Sequence, residues 1–209
     1  MKSLKGTETH TNLMRAFASE AQARMRYTLY AEEAKKEGYP LIQKLFETTA
    51  DQEQVHGKVF FEYLMKEFNG KQIPIEADYP VDFYKGNTLK NLQASVKAEG
   101  HEHDEVYPAF AKVAEKEGFP KLADQFEMIA NIEQEHKRKF TEVLLQLEKG
   151  KLFERSHPVA WECTVCGHIH FGVSAPDKCV VCQHPQEFFQ EVDLPKNVLE
   201  RIKKNKANK

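Results

Sequence analysis

The sequence has no hydrophobic run long enough to cross a bilayer, and its first ten residues, MKSLKGTETH, lack the apolar core of a secretory signal. It also has little excess of either charge. The net charge of −2 gives no electrostatic reason to expect nucleic acid or an anionic membrane as a partner. We therefore expect a cytoplasmic protein that binds neither nucleic acid nor membrane.

Cysteine is scarce as well: the chain has four in 209 residues, and all of them fall within residues 163–182. In a reducing compartment such clustering favours a metal site over disulfide bonds. Cys163-x-x-Cys166 and Cys179-x-x-Cys182 together have the spacing of a tetrathiolate centre. Four sulfurs suit zinc or a single iron equally well on geometry, and the motif alone favours a structural zinc ribbon.

What the chain has in quantity is charge, 30% of its residues, beside 41% hydrophobic residues. This balance is typical of a helix-rich globular domain with a core. Apolar residues recur at intervals of three and four through residues 10–68 and again through about 88–149, which predicts two pairs of helices. The connecting segment, residues 69–88, is long for a bundle loop and predicts a crossover connection.

The two helical pairs are copies of each other. EEAKKEGYPLIQKLFETTADQEQVH aligns with KVAEKEGFPKLADQFEMIANIEQEH, and Glu53 and Glu133 are 80 residues apart (133 − 53). Related helix pairs joined by a crossover predict an all-α, four-helix bundle with pseudo-twofold symmetry. We place the bundle in residues 1–150, a linker (KLFERSHPVA) and the cysteine domain in 151–192, and a basic tail in 193–209.

Glu-x-x-His is a weak motif alone, because about one match is expected by chance in this composition. The chain has three matches: Glu53/His56, Glu133/His136 and Glu154/His157. The first two occupy the same register of the repeat, and on a helix residues i and i+3 project from one face. The third has no counterpart in the repeat and is interpreted as the chance match.

Each half also has a glutamate in its first helix, Glu20 and Glu99. One Glu from each of two helices and one Glu-x-x-His from each of the others form the ligand set of a dinuclear carboxylate site. Buried carboxylates need a compensating charge, which a dication provides. The structural alternative is a buried Glu–His hydrogen-bonded pair in each half. Oxygen-rich ligation with some imidazole suits iron or manganese better than copper or structural zinc.

The stretch AEGHEHDEVYP, residues 98–108, contains one inserted residue. The offset between the halves is 79 from Glu20 to Glu99 (99 − 20) but 80 from Tyr27 to Tyr107 (107 − 27). A helix commonly absorbs such an insertion as a π-bulge, a feature found at functional sites. Glu102, three residues after Glu99, then also becomes a candidate ligand.

The predicted bundle site has seven candidate ligands: Glu20, Glu53, His56, Glu99, Glu102, Glu133 and His136. Tyr27 and Tyr107 occupy equivalent places near these acids. They are either an aromatic layer of the core or hydroxyls that orient ligand carboxylates, and both roles can hold. His101 and His103 are predicted to face solvent.

A redox-capable bundle in the same chain favours iron over zinc at the cysteines. At this point the sequence resembles the rubrerythrins, which have a ferritin-like di-iron bundle followed by a rubredoxin-like domain. The resemblance rests on SEAQARMRY, ADQEQVH, GHEHDEVYP, IEQEH and WECTVCGHIHFGVSAPDKCVVCQHP, and it extends to about residue 192. Val180 departs from the pattern, since the family usually has proline after the third cysteine, and the basic tail lies outside it.

The resemblance implies a non-haem peroxidase with three iron ions per chain, two in the bundle and one on the four cysteines. Hydrogen peroxide is the implied substrate, and a rubredoxin or NAD(P)H-dependent reductase the implied donor. Glu102 and His56 are implied to exchange at one iron. A head-to-tail homodimer is implied too. The ten-residue linker spans at most roughly 33–36 Å, which predicts that the cysteine iron of one subunit serves the bundle of the other. The alternatives are a ferritin-type ferroxidase or iron-storage protein, and a zinc-ribbon interaction protein with a structural bundle.

Overall fold

The computed structural model describes residues 3–74, 86–195 and 198. Its helices are α1 (Glu8–Lys36), α2 (Pro40–Phe68), α3 (Thr88–His101), α4 (Tyr107–Lys116) and α5 (Pro120–Glu148). A π-helical segment, Glu102–Val106, joins α3 to α4, so the described residues contain the predicted bundle of four helices. Most of the predicted crossover connection, residues 75–85, lies outside the described residues, as does most of the predicted basic tail.

Equivalent glycines end the first helix of each half. Gly38 and Gly118 both have φ of +80°, a left-handed conformation that glycine adopts without a Cβ clash. Pro40 and Pro120 then begin α2 and α5. Proline suits the first turn because its missing N–H has no partner there in any helix. The repeated Gly-x-Pro therefore sets the same tight helical hairpin twice.

A glutamate at the end of one helix caps the start of another, once in each half. Glu117 accepts hydrogen bonds from the backbone N–H groups of Glu8 (3.1 Å) and Thr9 (2.8 Å). Glu37 accepts one from the backbone N–H of Thr88 (3.0 Å). A carboxylate there satisfies N–H groups that lack helical partners and complements the positive end of the helix dipole. These equivalent caps fix α1 and α3 within the bundle.

Two equivalent aromatic layers fill the bundle core. Tyr27 packs with Phe46 and Phe140 at ring-centroid distances of 5.3–6.0 Å, and the two phenylalanines lie 5.2 Å apart. In the second layer, Tyr107 packs with Phe126 and Phe60 at 5.9–6.1 Å, and these phenylalanines lie 5.4 Å apart. Along α2, Phe46 and Phe60 lie about two turns before and after Glu53. The acidic residues therefore lie between two apolar layers.

The cysteine-containing part folds as a three-stranded antiparallel sheet. Its strands are β1 (Glu154–Cys163), β2 (Ile169–Ser174) and β3 (Phe189–Val192), with β1 in the middle. The predicted linker, residues 151–160, is therefore wrong in its extent, because most of it belongs to β1. Pro158 lies where the β1–β2 register shifts between Glu154 and Val159, so the strand accommodates a proline that suggested a linker.

The chain divides into two compact units, Met1–Glu37 with Ile42–Leu144 and Gly38–Leu41 with Leu145–Lys209. The second unit has a small core around Trp161, whose indole N–H donates to the carbonyl of Gly172 (3.1 Å). None of the helices in the described ranges combines the length and the apolar character that a bilayer crossing needs.

Candidate metal centres

Six buried side chains of the bundle converge into two adjacent groups. The groups are Glu20, Glu53, His56 and Glu133, and Glu53, Glu99, Glu133 and His136. Within each group, one ligand atom per residue lies within 4.8 Å of all the others. None of the six residues is more than 5% exposed. Because the groups share two carboxylates, they have the arrangement of a dinuclear carboxylate site.

The two histidines have matching surroundings. Nδ1 of His56 lies 2.9 Å from Glu53 Oε2 and 3.1 Å from Glu133 Oε1. Nδ1 of His136 lies 2.8 Å from Glu133 Oε2 and 3.1 Å from Glu53 Oε1. Glu53 and Glu133 therefore each face both histidines, and the repeat seen in the sequence becomes a repeat in space.

The polar atoms in these groups outnumber their hydrogen-bond donors. Eight buried atoms of these groups make no hydrogen bond of good geometry within the described part of the chain, although each Nδ1 lies near carboxylate oxygens. They are Glu20 Oε2, both carboxylate oxygens of Glu53 and of Glu133, Glu99 Oε2, and Nδ1 of His56 and of His136. An ionised carboxylate only accepts, and one imidazole proton serves one oxygen at a time. Divalent cations compensate such a cluster where protons cannot, so the residues fit a pair of metal ions.

The pKa shifts show how the protein holds these charges. Burial acts to raise the pKa of Glu53, but His136 and His56 outweigh it and lower that pKa to about 2. Burial acts to lower the pKa of His136, but Glu133, Glu53 and Glu99 raise it to about 12. Burial itself raises the pKa values of Glu20 and Glu99 well above normal. The protein thus favours protonated imidazoles beside an ionised Glu53.

Tyr27 and Tyr107 reach across the repeat to the acid of the opposite half. The Tyr27 hydroxyl donates to Glu99 Oε1, and the Tyr107 hydroxyl donates to Glu20 Oε1. Burial raises the pKa of both phenols, and the facing carboxylates add to the shift, so the hydroxyls keep their protons. Each tyrosine therefore packs in an aromatic layer and orients a carboxylate as well.

The predicted π-bulge is confirmed. In segment Glu102–Val106, the N–H of Tyr107 donates to the carbonyl of Glu102, five residues back. Glu102 is buried, but among the described residues it belongs to neither group of converging ligands. The hydroxyl of Ser19 donates to Glu102 Oε1 at 2.6 Å. The structure thus brings six of the seven predicted ligands together, whereas the seventh, Glu102, is hydrogen-bonded to Ser19.

The four cysteines also converge. Sγ of Cys163 lies 3.6 Å from Sγ of Cys182, and Sγ of Cys166 lies 3.6 Å from Sγ of Cys179. A tetrahedral ion with metal–sulfur bonds of about 2.3 Å requires sulfur–sulfur distances of roughly 3.8 Å. The four thiols therefore match a single tetrahedral ion.

Two similar turns present the cysteines. Gly167 N–H donates to the carbonyl of Cys163 (2.8 Å), and Gln183 N–H donates to the carbonyl of Cys179 (2.9 Å). Both turns use a left-handed residue, with φ of +72° at Gly167 and +62° at Gln183. Burial acts to raise the pKa of Cys179, but backbone N–H groups including that of Cys182 lower it to about 7. A thiolate is the form that binds metal.

Comparison with known proteins agrees with both centres. The rubrerythrin family matches residues 11–144, and the rubredoxin-like domain of rubrerythrin matches residues 161–190. This chain belongs to the rubrerythrin family. It is 46% identical to rubrerythrin-1 of Clostridium acetobutylicum over 91% of this chain and 97% of that protein. It is 40% identical to rubrerythrin of Nitratidesulfovibrio vulgaris, again over 91% of this chain and 97% of the relative.

Solved structures of nigerythrin are similar as well. Nigerythrin in a mixed-valence state has a TM-score of 0.60 and 26% identity, covering 91% of this chain and 92% of that chain. Its fully reduced, all-ferrous state has a TM-score of 0.59 at the same identity and coverage. The predicted fold, a ferritin-like bundle with a rubredoxin-like domain, is confirmed.

Other sequence predictions have mixed outcomes. His101 is exposed as expected, but the prediction for His103 is wrong. His103 packs toward α5, where its Nδ1 lies 2.8 Å from the carbonyl of Ala130. Glu154 and His157 are both exposed on β1, and neither belongs to a group of converging ligands among the described residues, so this match is the chance one.

Sequence reasoning missed two polar residues that support the rubrerythrin bundle site. Gln52 Oε1 lies 3.0 Å from Nε2 of His136, and Ser19 holds Glu102. Each directly precedes a predicted ligand, and each has an apolar counterpart in the other half: Ile132 for Gln52 and Ala98 for Ser19. The available signal was a polar residue in one copy of the repeat at a position where the other copy has an apolar residue.

Proposed function

We propose that this rubrerythrin-family chain is a non-haem di-iron peroxidase that reduces hydrogen peroxide to water in oxidative-stress defence. One observation supports this most strongly: a paired carboxylate–histidine site and a four-cysteine site occur in one chain. In the reaction, the O–O bond breaks as peroxide takes up two electrons and two protons, giving two water molecules. A centre that both stores and receives electrons suits this two-electron reduction.

We assign two irons to the bundle and a third to the cysteines. The ligands of the bundle pair would be Glu20, Glu53, His56, Glu99, Glu133 and His136, with Glu102 as a seventh candidate. Oxygen-rich ligation with two imidazoles favours iron or manganese, and the all-ferrous structure of the similar protein nigerythrin supports iron. Iron bound there supplies the redox chemistry that peroxide reduction requires.

The protein's own groups have three tasks in this proposal. Glu53 and Glu133 belong to both ligand groups and hold the two ions as a pair. Tyr27 and Tyr107 fix the carboxylates that are not shared, through hydroxyls that remain protonated. The two aromatic layers keep water from the site, which strengthens the electrostatic interactions inside it.

Electrons would reach the bundle from a rubredoxin or an NAD(P)H-dependent reductase through the cysteine-bound iron. We further propose a head-to-tail homodimer in which this iron serves the bundle of the other subunit; the family resemblance supports this. Mixing Cys179→Ser subunits with Glu53→Ala subunits should restore activity in heterodimers. Confirmed subunit exchange without restored activity would place the transfer within one chain.

The function is tested with iron-loaded protein, rubredoxin, its reductase and NAD(P)H. The wild-type protein should oxidise one NAD(P)H per peroxide consumed, and Cys179→Ser and Glu53→Ala should each abolish this turnover. Val181→Ser is a matched control, because Val181 is 64% exposed and lies in the same turn without donating a ligand. An unchanged rate in Glu53→Ala would remove the bundle from the reaction.

The carboxylate-rich bundle also favours a second candidate, a ferroxidase or iron-storage protein of ferritin type. Aerobic addition of ferrous iron separates the two. A storage protein continues to take up iron, whereas the peroxidase should stop at three ions per chain, the number that its two bundle groups and one cysteine group can hold. Uptake well beyond three would favour storage.

A further inference from the structure

Glu102 is a buried carboxylate placed beside the bundle site. It is 5% exposed and Ser19 is 4% exposed, and the 2.6 Å hydrogen bond between them joins α1 to the π-helical segment. A hydrogen bond from a hydroxyl to a buried carboxylate is strengthened by charge and by the low local dielectric. Ser19 therefore holds Glu102 firmly in this position.

Glu102 nevertheless lies close to one of the two ligand groups. Tyr107 connects the two residues, because its backbone N–H donates to the carbonyl of Glu102 and its hydroxyl donates to Glu20 Oε1. Ser19 directly precedes Glu20 in α1. A cation held by Glu20, Glu53, His56 and Glu133 would therefore attract Glu102 and compete with Ser19 for its carboxylate.

The symmetry-related position in the bundle has no such pair. At the 79-residue offset that relates Glu20 to Glu99, the counterpart of Ser19 is Ala98 and that of Glu102 is Ala23 (98 − 19 and 102 − 23). Two alanines can neither donate to a carboxylate nor supply one. Competition between a serine and a metal is therefore confined to the ion nearest Glu20.

We propose that Ser19 is a positioning residue that holds Glu102 off the metal nearest Glu20 and so sets how readily Glu102 becomes its ligand. This inference rests on the proposed dinuclear site, and it concerns the coordination of one of the two ions. A buried hydrogen bond to a charged group changes an equilibrium by roughly ten- to a hundredfold. Removing the Ser19 hydroxyl should shift Glu102 toward the metal by that factor.

An anionic ligand stabilises the more highly charged, oxidised ion. Ser19→Ala should therefore lower the reduction potential of the bundle iron, by up to about 59 mV for each tenfold shift in Glu102 binding between the two oxidation states. Ser19→Thr keeps the hydroxyl and should retain the wild-type potential. Ser95→Ala is a matched control, because Ser95 is also buried but its hydroxyl donates to the backbone carbonyl of Asn91.

The measurement is an anaerobic redox titration of iron-loaded full-length protein, followed by the EPR signal of the mixed-valence bundle. All variants carry Cys179→Ser, so that only bundle iron titrates, and circular dichroism confirms their folding. In a Glu102→Ala background, Ser19→Ala should have no further effect. A potential in Ser19→Ala equal to that of Ser95→Ala would overturn the role of Ser19, as would a shift that persists without Glu102.

The wild-type protein separates this proposal from the proposed function. If it fails to load two bundle irons or to turn over peroxide, the proposed function is wrong. If it does both while Ser19→Ala leaves the potential unchanged, only the role of Ser19 is wrong.

Discussion

The two halves of the bundle contribute the same types of ligand, but the residues that hold those ligands in place differ. Each contributes a glutamate, a tyrosine and a Glu-x-x-His motif, and the distances around His56 and His136 match closely. The surroundings differ. Gln52 accepts from the ring of His136, whereas its counterpart for His56, Ile132, has no polar side-chain atom. Ser19 of one half likewise contacts Glu102 of the other, whereas the symmetry-related residues are two alanines, Ala98 and Ala23.

This difference indicates how a symmetric site acquires two unlike metal positions. The shared carboxylates Glu53 and Glu133 bind the halves together, so changes to them affect both ions. The groups behind the ligands can change separately, because each touches one ligand. Nε2 of His136 is hydrogen-bonded to Gln52, whereas His56 has Ile132 at the equivalent position, and Glu102 has an added contact with Ser19. Differences among the residues that contact the ligands can therefore give each ion its own properties, while the shared carboxylates keep the two ions together.

The largest expected effect comes from comparing shared with unshared carboxylates. Glu53→Ala should remove both bundle irons and all peroxidase activity, because the repulsion between two cations is no longer compensated. Glu99→Ala should weaken mainly the ion beside His136. Glu135→Ala, which removes an exposed glutamate two residues after the other shared carboxylate, Glu133, in α5, is the control. Metal analysis measures the iron that each variant retains. Equal iron loss in Glu53→Ala and Glu99→Ala would contradict a shared role for Glu53.

The histidines of the two halves, His56 and His136, should have the same protonation state. The neighbouring carboxylates hold the pKa of His136 at about 12 against the effect of burial, and that of His56 is raised in the same way. Both imidazoles are therefore protonated in the metal-free site at pH 7 and must lose a proton to bind metal. Each proton released raises metal affinity about tenfold per pH unit, so loading the pair should tighten about a hundredfold or more per unit.

Calorimetry in buffers of different ionisation enthalpy counts these protons. The Cys179→Ser variant serves here, so that cysteine protons do not contribute. Metal affinity that does not change between pH 6 and pH 8 would show that the histidines are neutral before metal binds.

The unequal support of the histidines gives a smaller effect. Gln52→Leu should weaken the ion bound by His136 by roughly ten- to a hundredfold, a typical result of losing the partner that orients a ligand. Ile132→Gln should tighten the ion bound by His56, by less than this, because position 132 is 40% exposed. Chelator competition measures both. Gln54→Leu, an exposed glutamine beside Glu53, is the control, and an equal effect at 52 and 54 would refute the asymmetry.

The smallest effect should be symmetric. Tyr27→Phe and Tyr107→Phe each leave one buried carboxylate without its hydroxyl donor, and each should lower the free energy of unfolding of the metal-free protein by about 1–3 kcal/mol. Urea unfolding measures this, with Tyr63→Phe in α2 as a control. A difference between the two variants larger than about 1 kcal/mol would show that the tyrosines are not equivalent.

Much of this architecture could be predicted from the sequence, because its signals are local or repeated. The spacing of apolar residues predicts the helices, and Gly-x-Pro marks both hairpins. The change of offset between Glu99 and Tyr107 located the π-helical segment to within a few residues. Cys-x-x-Cys pairs are equally local. Location in the cytoplasm, the electron donor and the homodimer stay predictions.

The rest depends on contacts between distant parts of the chain. Ser19 and Glu102 are 83 residues apart, and their contact requires the register of α1 against the π-helical segment. Gln52 and His136 are 84 residues apart on different helices. The strand character of residues 154–160 depends on pairing with β2 and β3, and Pro158 hides it in the sequence. Such contacts leave no periodic signal.

The central claim is that one chain holds a dinuclear bundle centre and an independent cysteine centre. Mössbauer spectroscopy of anaerobically loaded, isotopically enriched protein tests it most directly. We predict three irons per chain: two magnetically coupled irons with oxygen and nitrogen ligands, and one with sulfur ligands. Cys179→Ser should lose only the sulfur-bound iron. Loss of all three irons together in that variant, or a single uncoupled iron in the bundle of the wild-type protein, would contradict the account.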